Sequence, residues 1–175
     1  MENINVSFIL LTFSSLFTLI NPIGITPILL SMTEDESDLE YQVIIKKGII
    51  TAYIILTIFA IMGDLIFKFY GITIYAFMIA GGILFLRNSF DMIDSKISRE
   101  SSTPLETKEA IQKEDISVTP IGIPLIAGPG AITSIMILSS QTSSYIDKCI
   151  VHINILITLI ITYIILLLGK KISKK

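Results

Sequence analysis

The sequence is poor in the residues from which disulfide frameworks, metal sites and catalytic triads are built. It contains one cysteine, Cys149, one histidine, His152, and no tryptophan. One cysteine cannot close an internal disulfide, and two such ligands are too few for a zinc or iron site. A nucleophile triad cannot be assembled around the sole histidine, and no Gly-Lys-Ser/Thr phosphate loop occurs. We therefore expect no enzyme activity, no cofactor and no bound metal.

Charge is also scarce. Only 16% of the residues are charged, and the net charge of −2 is not concentrated in a basic stripe with interleaved aromatics. A nucleic-acid-binding surface would need such a stripe to neutralise phosphates. Nucleic acid is therefore excluded as an expected partner.

Apolar residues, in contrast, are abundant and arranged in long blocks. Hydrophobic residues make up 52% of the chain, and the mean hydropathy is +0.78. Each block approaches the roughly 20 residues that a helix needs to cross about 30 Å of hydrocarbon. This pattern predicts an all-α polytopic membrane protein, with the lipid bilayer as its surroundings and about five transmembrane helices at residues 6–32, 48–67, 72–93, 119–138 and 149–169.

The basic residues predict an orientation in the membrane. The first apolar block follows Met1-Glu2-Asn3, which lacks Lys and Arg, so we expect a retained span rather than a signal peptide. With loops assigned alternately to the two sides, only Lys68 and Lys148 lie on the outer side. The other side carries the remaining eleven of the 13 Lys and Arg residues. The positive-inside rule then places the N-terminus outside and the C-terminus in the cytoplasm.

Two segments about 98 residues apart repeat one motif. Residues 21–27 read NPIGITP and residues 119–124 read TPIGIP, and the second copy continues into AGPGA at 127–131. Proline removes a backbone donor and glycine relaxes φ, so both copies should break or strongly kink their helices. An odd number of crossings separates the copies, which makes them inverted with respect to the membrane. We therefore expect a first repeat over 1–93, a cytoplasmic loop over 94–118 and a second, truncated repeat over 119–175.

Inverted repeats with matching helix breaks indicate the binding site of a transporter near the bilayer midplane. Free N–H groups at half-helix N-termini would receive an anionic group of a small polar solute such as a carboxylate. The alternative is a non-transporting membrane component in which the breaks only allow close packing. The candidate substrate-binding residues are Asn21, Pro22, Gly24, Thr26, Pro27, Thr119, Pro120, Gly122, Pro124, Gly128, Pro129, Gly130 and Thr133.

The same motifs carry a family resemblance. Together with AGPGAI at 127–132, FYGI at 69–72 and AGGIL at 80–84, they resemble the MarC family of integral membrane proteins, with matches from about residue 7 to 169. The resemblance implies a multi-pass protein of the bacterial cytoplasmic (inner) membrane, distantly similar to LysE-type amino-acid exporters. Together with the paired breaks, this similarity favours outward secondary transport of a small polar solute, an amino acid or related metabolite. Family members usually carry a sixth span, so we expect either a homo-oligomer that supplies the missing wall or a shortened, inactive form.

Three smaller features carry structural expectations. Asp64 and Lys68, four residues apart, favour an ion pair on one helix face; a proton-coupling carboxylate at Asp64 is the alternative. The pair Gly81-Gly82 predicts close helix packing. His152 is expected at the outer headgroup level.

Overall fold

The computed structural model describes residues 6–93, 117–142 and 144–173. Within these ranges the chain is almost entirely helical and contains no strand. The helices are α1 (Val6–Ile20), α2 (Pro22–Met32), α3 (Asp38–Tyr70), α4 (Ile74–Ile93), α5 (Pro129–Ser140) and α6 (Tyr145–Ser173), and a segment containing two prolines, Ser117–Ile126, precedes α5. We call Ser117–Ile126 the proline segment.

Helix α3 is the element against which much of the bundle is built. Its first turn is closed by a capping box, in which Ser37 Oγ accepts from the Glu40 amide and the Glu40 carboxylate accepts from the Ser37 amide. The helix ends where Gly71 adopts a left-handed conformation at φ 64°, and the Ile72 amide donates back to the Phe67 carbonyl. Its 33 residues span about 50 Å. The helix is therefore longer than the hydrocarbon core of a bilayer.

Helix α6 runs antiparallel to α3, and contacts near both ends fix the two helices together. The carboxylate of Asp64 lies 3.6 Å from Lys148 Nζ, and the Tyr41 hydroxyl donates to the Leu166 carbonyl at 2.9 Å. We call these the Lys148 end and the Lys170 end of the bundle. Helices α1 and α2 also pack on α6.

One face of each long helix is apolar yet exposed. On α3 the exposed large side chains include Ile50, Ile54, Ile58, Ile61 and Leu65, and on α6 they include Ile153, Leu156, Ile160, Ile164 and Leu168. The opposite faces form the core, which centres on Leu16, Ile45, Leu56, Ile155 and Leu159. Apolar surface of this extent is unfavourable in water and suits contact with lipid chains. The prediction of an all-α membrane protein is thus confirmed.

The five predicted spans correspond to elements of three kinds. Residues 6–32, α3 and α6 are each long and apolar enough to cross a membrane. Helix α4 has a shorter apolar part, Ile74–Arg87, of roughly 20 Å, because Arg87 ends it early. The proline segment and α5 qualify only as a pair, bent by 58°. Among residues 6–93, 117–142 and 144–173, three spans, or four with the bent pair, meet the length requirement, against the five that the sequence predicted.

The bent pair advances along α3 instead of turning back on itself. The proline segment lies against Gly48 and Thr51 near the Lys170 end of α3. Ser139, near the end of α5, donates to the Ala60 carbonyl at 2.6 Å, twelve residues farther along the same helix. Twelve residues correspond to about 18 Å of helix. The pair therefore resembles a broken span more than a re-entrant loop.

Two glycines let the proline segment approach α3 closely. A Cβ added to Gly48 would lie 2.7 Å from Ile121 Cγ2 and 3.1 Å from the Ser117 carbonyl oxygen. A Cβ added to Gly122 would lie 2.9 Å from Thr51 Cβ and 3.3 Å from the Gly48 carbonyl oxygen. These distances are shorter than ordinary contacts, so any side chain at either position would push the two elements apart.

This close approach predicts opposite effects for two helix glycines. We expect Gly48→Ala to destabilise the protein, because overpacking costs about 1–3 kcal/mol and exceeds the gain of about 1 kcal/mol in helix propensity. Gly82 lies on an exposed face of α4, and a Cβ added there has no atom within 4 Å. We therefore expect Gly82→Ala to stabilise the protein through the gain in helix propensity alone. Thermal unfolding in detergent measures both. Equal melting temperatures for the two variants would show that α3 and the proline segment do not touch at Gly48.

Candidate binding site at the helix breaks

The first motif breaks the helix at one residue only. Asn21 adopts a left-handed conformation, φ 48° and ψ 60°, yet its amide still donates to the Phe17 carbonyl, and the Ile25 amide donates to the Asn21 carbonyl. The Asn21 side-chain oxygen accepts from the Gly24 amide at 3.1 Å and caps α2. The prediction that residues 21–27 interrupt the helix is therefore too broad, because only Asn21 leaves the helical conformation. Its side chain replaces the acceptor that the break takes away from the Gly24 amide.

The remaining candidates of the first motif have local roles. Pro22 is buried at the first position of α2, where its missing N–H costs nothing. The Thr26 hydroxyl donates to the Pro22 carbonyl at 2.7 Å, and its methyl group packs against Gly169 of α6. Pro27 is exposed within α2, and Gly24 is exposed beside Asn21.

The second motif interrupts the helix fully. Thr119 and Ile123 have extended backbone conformations inside the proline segment, and the peptide bonds Thr119-Pro120 and Ile123-Pro124 are cis. Pro120 and Gly122 are buried, whereas Thr119 is exposed to the outside of the bundle. Backbone hydrogen bonding resumes after the break, where the Ala127 amide donates to the Gly122 carbonyl at 3.0 Å. The break predicted for this motif is observed.

The N-terminus of α5 leaves backbone donors without partners. Its N-cap is Gly128, which has no side chain to accept a hydrogen bond, and its first residue is Pro129. The Ile132 amide bonds to the Gly128 carbonyl, but the amides of Gly130 and Ala131 donate to no described residue. Both residues are buried, and Ala131 is only 1% exposed. Buried, uncapped amides at the positive end of a helix dipole form a site for an anionic group.

Residues from α1 and α4 enclose this helix end. A Cβ built on Gly130 would lie 3.4 Å from Phe85 Cε1 and 3.5 Å from Leu19 Cδ2. Leu19 precedes Asn21 by two residues, so the structure brings the two breaks close together. Thr133, 6% exposed, packs its methyl group against Gly81 of α4. Thr119 and Pro27 are exposed and stand apart from this group.

Phe85, Leu19 and Gly81 were not among the residues selected from the sequence. Phe85 and Leu19 belong to ordinary apolar runs, which carry no signal of contact with a glycine far along the chain. Gly81 was expected to serve packing, and it does so against Thr133, but a Cβ added to its neighbour Gly82 would have no atom within 4 Å. Only the motif AGGIL itself indicated that α4 has a close partner.

The site offers hydrogen-bond donors and a partial positive charge without a metal. In the described ranges, no three His, Cys, Asp or Glu side chains form a group that would hold a metal ion. Such a site suits reversible binding of a carboxylate in water-poor surroundings.

The ion pair expected between Asp64 and Lys68 is wrong. Asp64 pairs instead with Lys148 of α6, and both side chains are more than 40% exposed. Lys68 was favoured because a pattern within one helix cannot show which residue of another helix lies opposite. His152, one turn from Lys148, bonds through Nδ1 to the Lys148 carbonyl at 2.8 Å.

These helices and the paired breaks define a polytopic helical membrane protein with an interrupted helix in its interior. The family model described as "MarC family integral membrane protein" matches residues 6–175. The chain belongs to the MarC family.

Relatives occur in archaea and bacteria. A UPF0056 membrane protein of Methanocaldococcus jannaschii is 38% identical over 96% of this chain and 82% of its own length, and a second from that organism is 41% identical over 97% and 74%. The UPF0056 membrane protein YvbG of Bacillus subtilis is 39% identical over 97% of this chain and 81% of its own length. No solved structure matches the chain.

The exposure of the Asp64–Lys148 pair predicts a small energetic effect. We expect Asp64→Asn to change the free energy of unfolding by less than about 1 kcal/mol, because water and salt screen such pairs. Lys148→Ala should give a similar change, and the double variant should lose no more than either single variant. Denaturation of the four proteins in low and high salt measures the coupling. An equal coupling of Asp64 with Lys68 would contradict the observed pairing.

Proposed function

We propose that the protein is a secondary transporter of a small solute that carries a carboxylate, an amino acid or a related metabolite. The observation that supports this best is the pair of buried amides of Gly130 and Ala131 at the N-terminus of α5, which donate to none of the described residues. In a membrane interior, backbone N–H groups outside regular helical hydrogen bonding are tolerated only where they are buried in protein or line a water-filled cavity. A carboxylate would accept from both amides and take up the helix dipole.

The course of the two broken elements supports alternating access. Helices α1 and α2 run toward the Lys170 end, where Thr26 meets Gly169, and the proline segment with α5 runs the opposite way. Two half-units of opposite direction, each with a Pro/Gly break, meet at Leu19 and Gly130. Rocking of one unit against the other would expose this meeting point to either side in turn.

The proposed orientation follows from the charges at the two ends. Lys46, Lys47, Lys170 and Lys171 lie at the Lys170 end, and Lys68 and Lys148 at the other. The positive-inside rule favours the Lys170 end as cytoplasmic and the N-terminus as external, in the cytoplasmic membrane. Export is the direction suggested by the resemblance to amino-acid exporters. No covalent step is part of the proposal.

The proposal predicts graded loss of transport at Gly130. Proteoliposomes with the purified chain are loaded with a mixed labelled metabolite pool, and efflux is followed with and without a pH gradient. We expect carboxylate solutes to move and their neutral amide derivatives to move at least tenfold more slowly. Gly130→Ala and then Gly130→Val should reduce flux stepwise, because their side chains fill the space beside Phe85 and Leu19.

Gly63→Ala is the matched control. It also adds one methyl group to a buried glycine facing α5, at an ordinary 3.6 Å from Met136, but lies outside the breaks. Its flux should equal that of the wild-type protein. Absence of flux from folded wild-type protein, or equal loss in Gly63→Ala and Gly130→Ala, would favour the alternative of a non-transporting membrane component.

A further inference from the structure

An open cavity lies at the Lys170 end, between the first turn of α3 and the last turns of α6. Its volume is about 480 Å³, within the range of ligand pockets. Helix α3 contributes Asp38, Tyr41 and Gln42 to its walls, and α6 contributes Leu167, Leu168, Lys170 and Lys171. These residues are far along α3 from the Ala60 contact of α5, and none belongs to the two breaks.

Lys170 is held firmly at the edge of this cavity. Its side chain is only 12% exposed, and Nζ donates to the Glu36 carbonyl at 2.8 Å. Nζ also lies 4.3 Å from the centre of the Tyr41 ring and 4.0 Å from the Asp38 carboxylate. An ammonium group has three N–H donors, and the Asp38 distance is too long for a hydrogen bond. Lys170 therefore presents a fixed positive charge with donor capacity left beside the cavity.

The lining changes from apolar to charged within one helical turn. Leu167 and Leu168 end the apolar run of α6, and Lys170 and Lys171 follow directly. Leu168 is 51% exposed on the outer face of the bundle. The cavity thus lies across the boundary between hydrocarbon and headgroups. A ligand that contacts both parts of this wall would carry a phosphate, which binds the lysines, and an acyl chain, which packs on the leucines.

The acidic residue of the other wall, Asp38, narrows the choice of headgroup. Its side chain is 59% exposed, and four further acidic residues lie nearby in the chain, within residues 34–40. A primary ammonium group would be attracted to Asp38, whereas a headgroup that carries only negative charge would place that charge next to this carboxylate. We propose that the cavity binds a zwitterionic aminophospholipid, with its phosphate at Lys170 and Lys171, its ammonium group at Asp38 and an acyl chain along Leu167 and Leu168.

Native mass spectrometry of the full-length protein tests this proposal. The protein in detergent is mixed with equal amounts of phosphatidylethanolamine, phosphatidylcholine and phosphatidylglycerol of the same acyl chains. We expect phosphatidylethanolamine to be retained most, since only its ammonium group can donate hydrogen bonds to Asp38 while its net charge is zero. Asp38→Asn should remove the preference over phosphatidylglycerol.

Lys171 is the lysine to substitute, because Lys170 also holds α6 against the Glu36 loop. Lys171→Ala should lower retention of phosphatidylethanolamine by about tenfold, the effect of one charge-assisted hydrogen bond. Lys46→Ala, which removes an exposed lysine from the same end of the bundle, should leave it unchanged. Gln42→Trp fills the cavity from α3 and should reduce retention without loss of charge.

Equal retention of the three lipids by the wild-type protein would overturn the proposal. So would equal effects of Lys171→Ala and Lys46→Ala, or full retention in Gln42→Trp. Displacement of the bound lipid by millimolar inorganic phosphate would also overturn it, because the site would then belong to a soluble anion. Circular dichroism spectra of all variants verify that helical content is preserved.

Discussion

Hydrogen bonding of the backbone is the constraint on which this structure depends, because hydrocarbon offers no water to replace a missing partner. Four features satisfy it over most of the described chain: the uninterrupted turns of α3 and α6, the capping box at Ser37, the closure at Gly71 and the side-chain cap of Asn21. Some threonine and serine hydroxyls follow the same principle and donate to carbonyls of their own helices, as at Thr12 and Thr162. The amides at the start of α5 stand out against this background.

The two proline motifs resemble each other in sequence but differ in the residue that precedes the second half-helix. In the first motif Asn21 provides an oxygen that binds the Gly24 amide. In the second, Gly128 occupies the corresponding cap and provides none. A Cβ at residue 128 would lie 2.8 Å from the Pro124 carbonyl oxygen, so the narrow turn itself favours glycine. Close packing and an open helix end therefore arise from the same absence of a side chain.

The sequence was sufficient for the class of fold and for the positions of the two motifs. Hydropathy placed α3 and α6 well, because long apolar runs have few alternatives to a helix in lipid. It also placed α4, whose observed bounds of Ile74–Ile93 lie within the predicted 72–93 although its apolar part ends at Arg87. It treated the two motifs as equal breaks. The two motifs differ in their cap residues, Asn21 against Gly128, and in the extended backbone of Thr119 and Ile123 in the second. The pattern Ser37-x-x-Glu40 was present in the sequence and would have located the start of α3.

Contacts between distant elements were beyond sequence reasoning. Neither the pairing of Asp64 with Lys148 nor the enclosure of Gly130 by Phe85 and Leu19 follows from spacing, since each depends on how helices cross. The same is true of the Lys170 cavity, whose walls come from residues more than 120 positions apart. Composition shows that lysines and acidic residues are present, but only packing brings Asp38, Tyr41 and Lys170 together.

Helix α4 is attached to α3 mainly near its start, so a tilt around that contact would move the rest of the helix. Near its start, Phe77 meets Phe67 of α3 edge to face, with ring centres 4.9 Å apart, and farther along α4 packs chiefly on α5. Phe85 lies eight residues beyond Phe77, a lever of about 12 Å. Tilting α4 by only about 10° around the Phe67–Phe77 contact would move the Phe85 ring by about 2 Å. A small tilt of α4 around its contact with α3 would therefore change how closely the Phe85 ring covers the open end of α5.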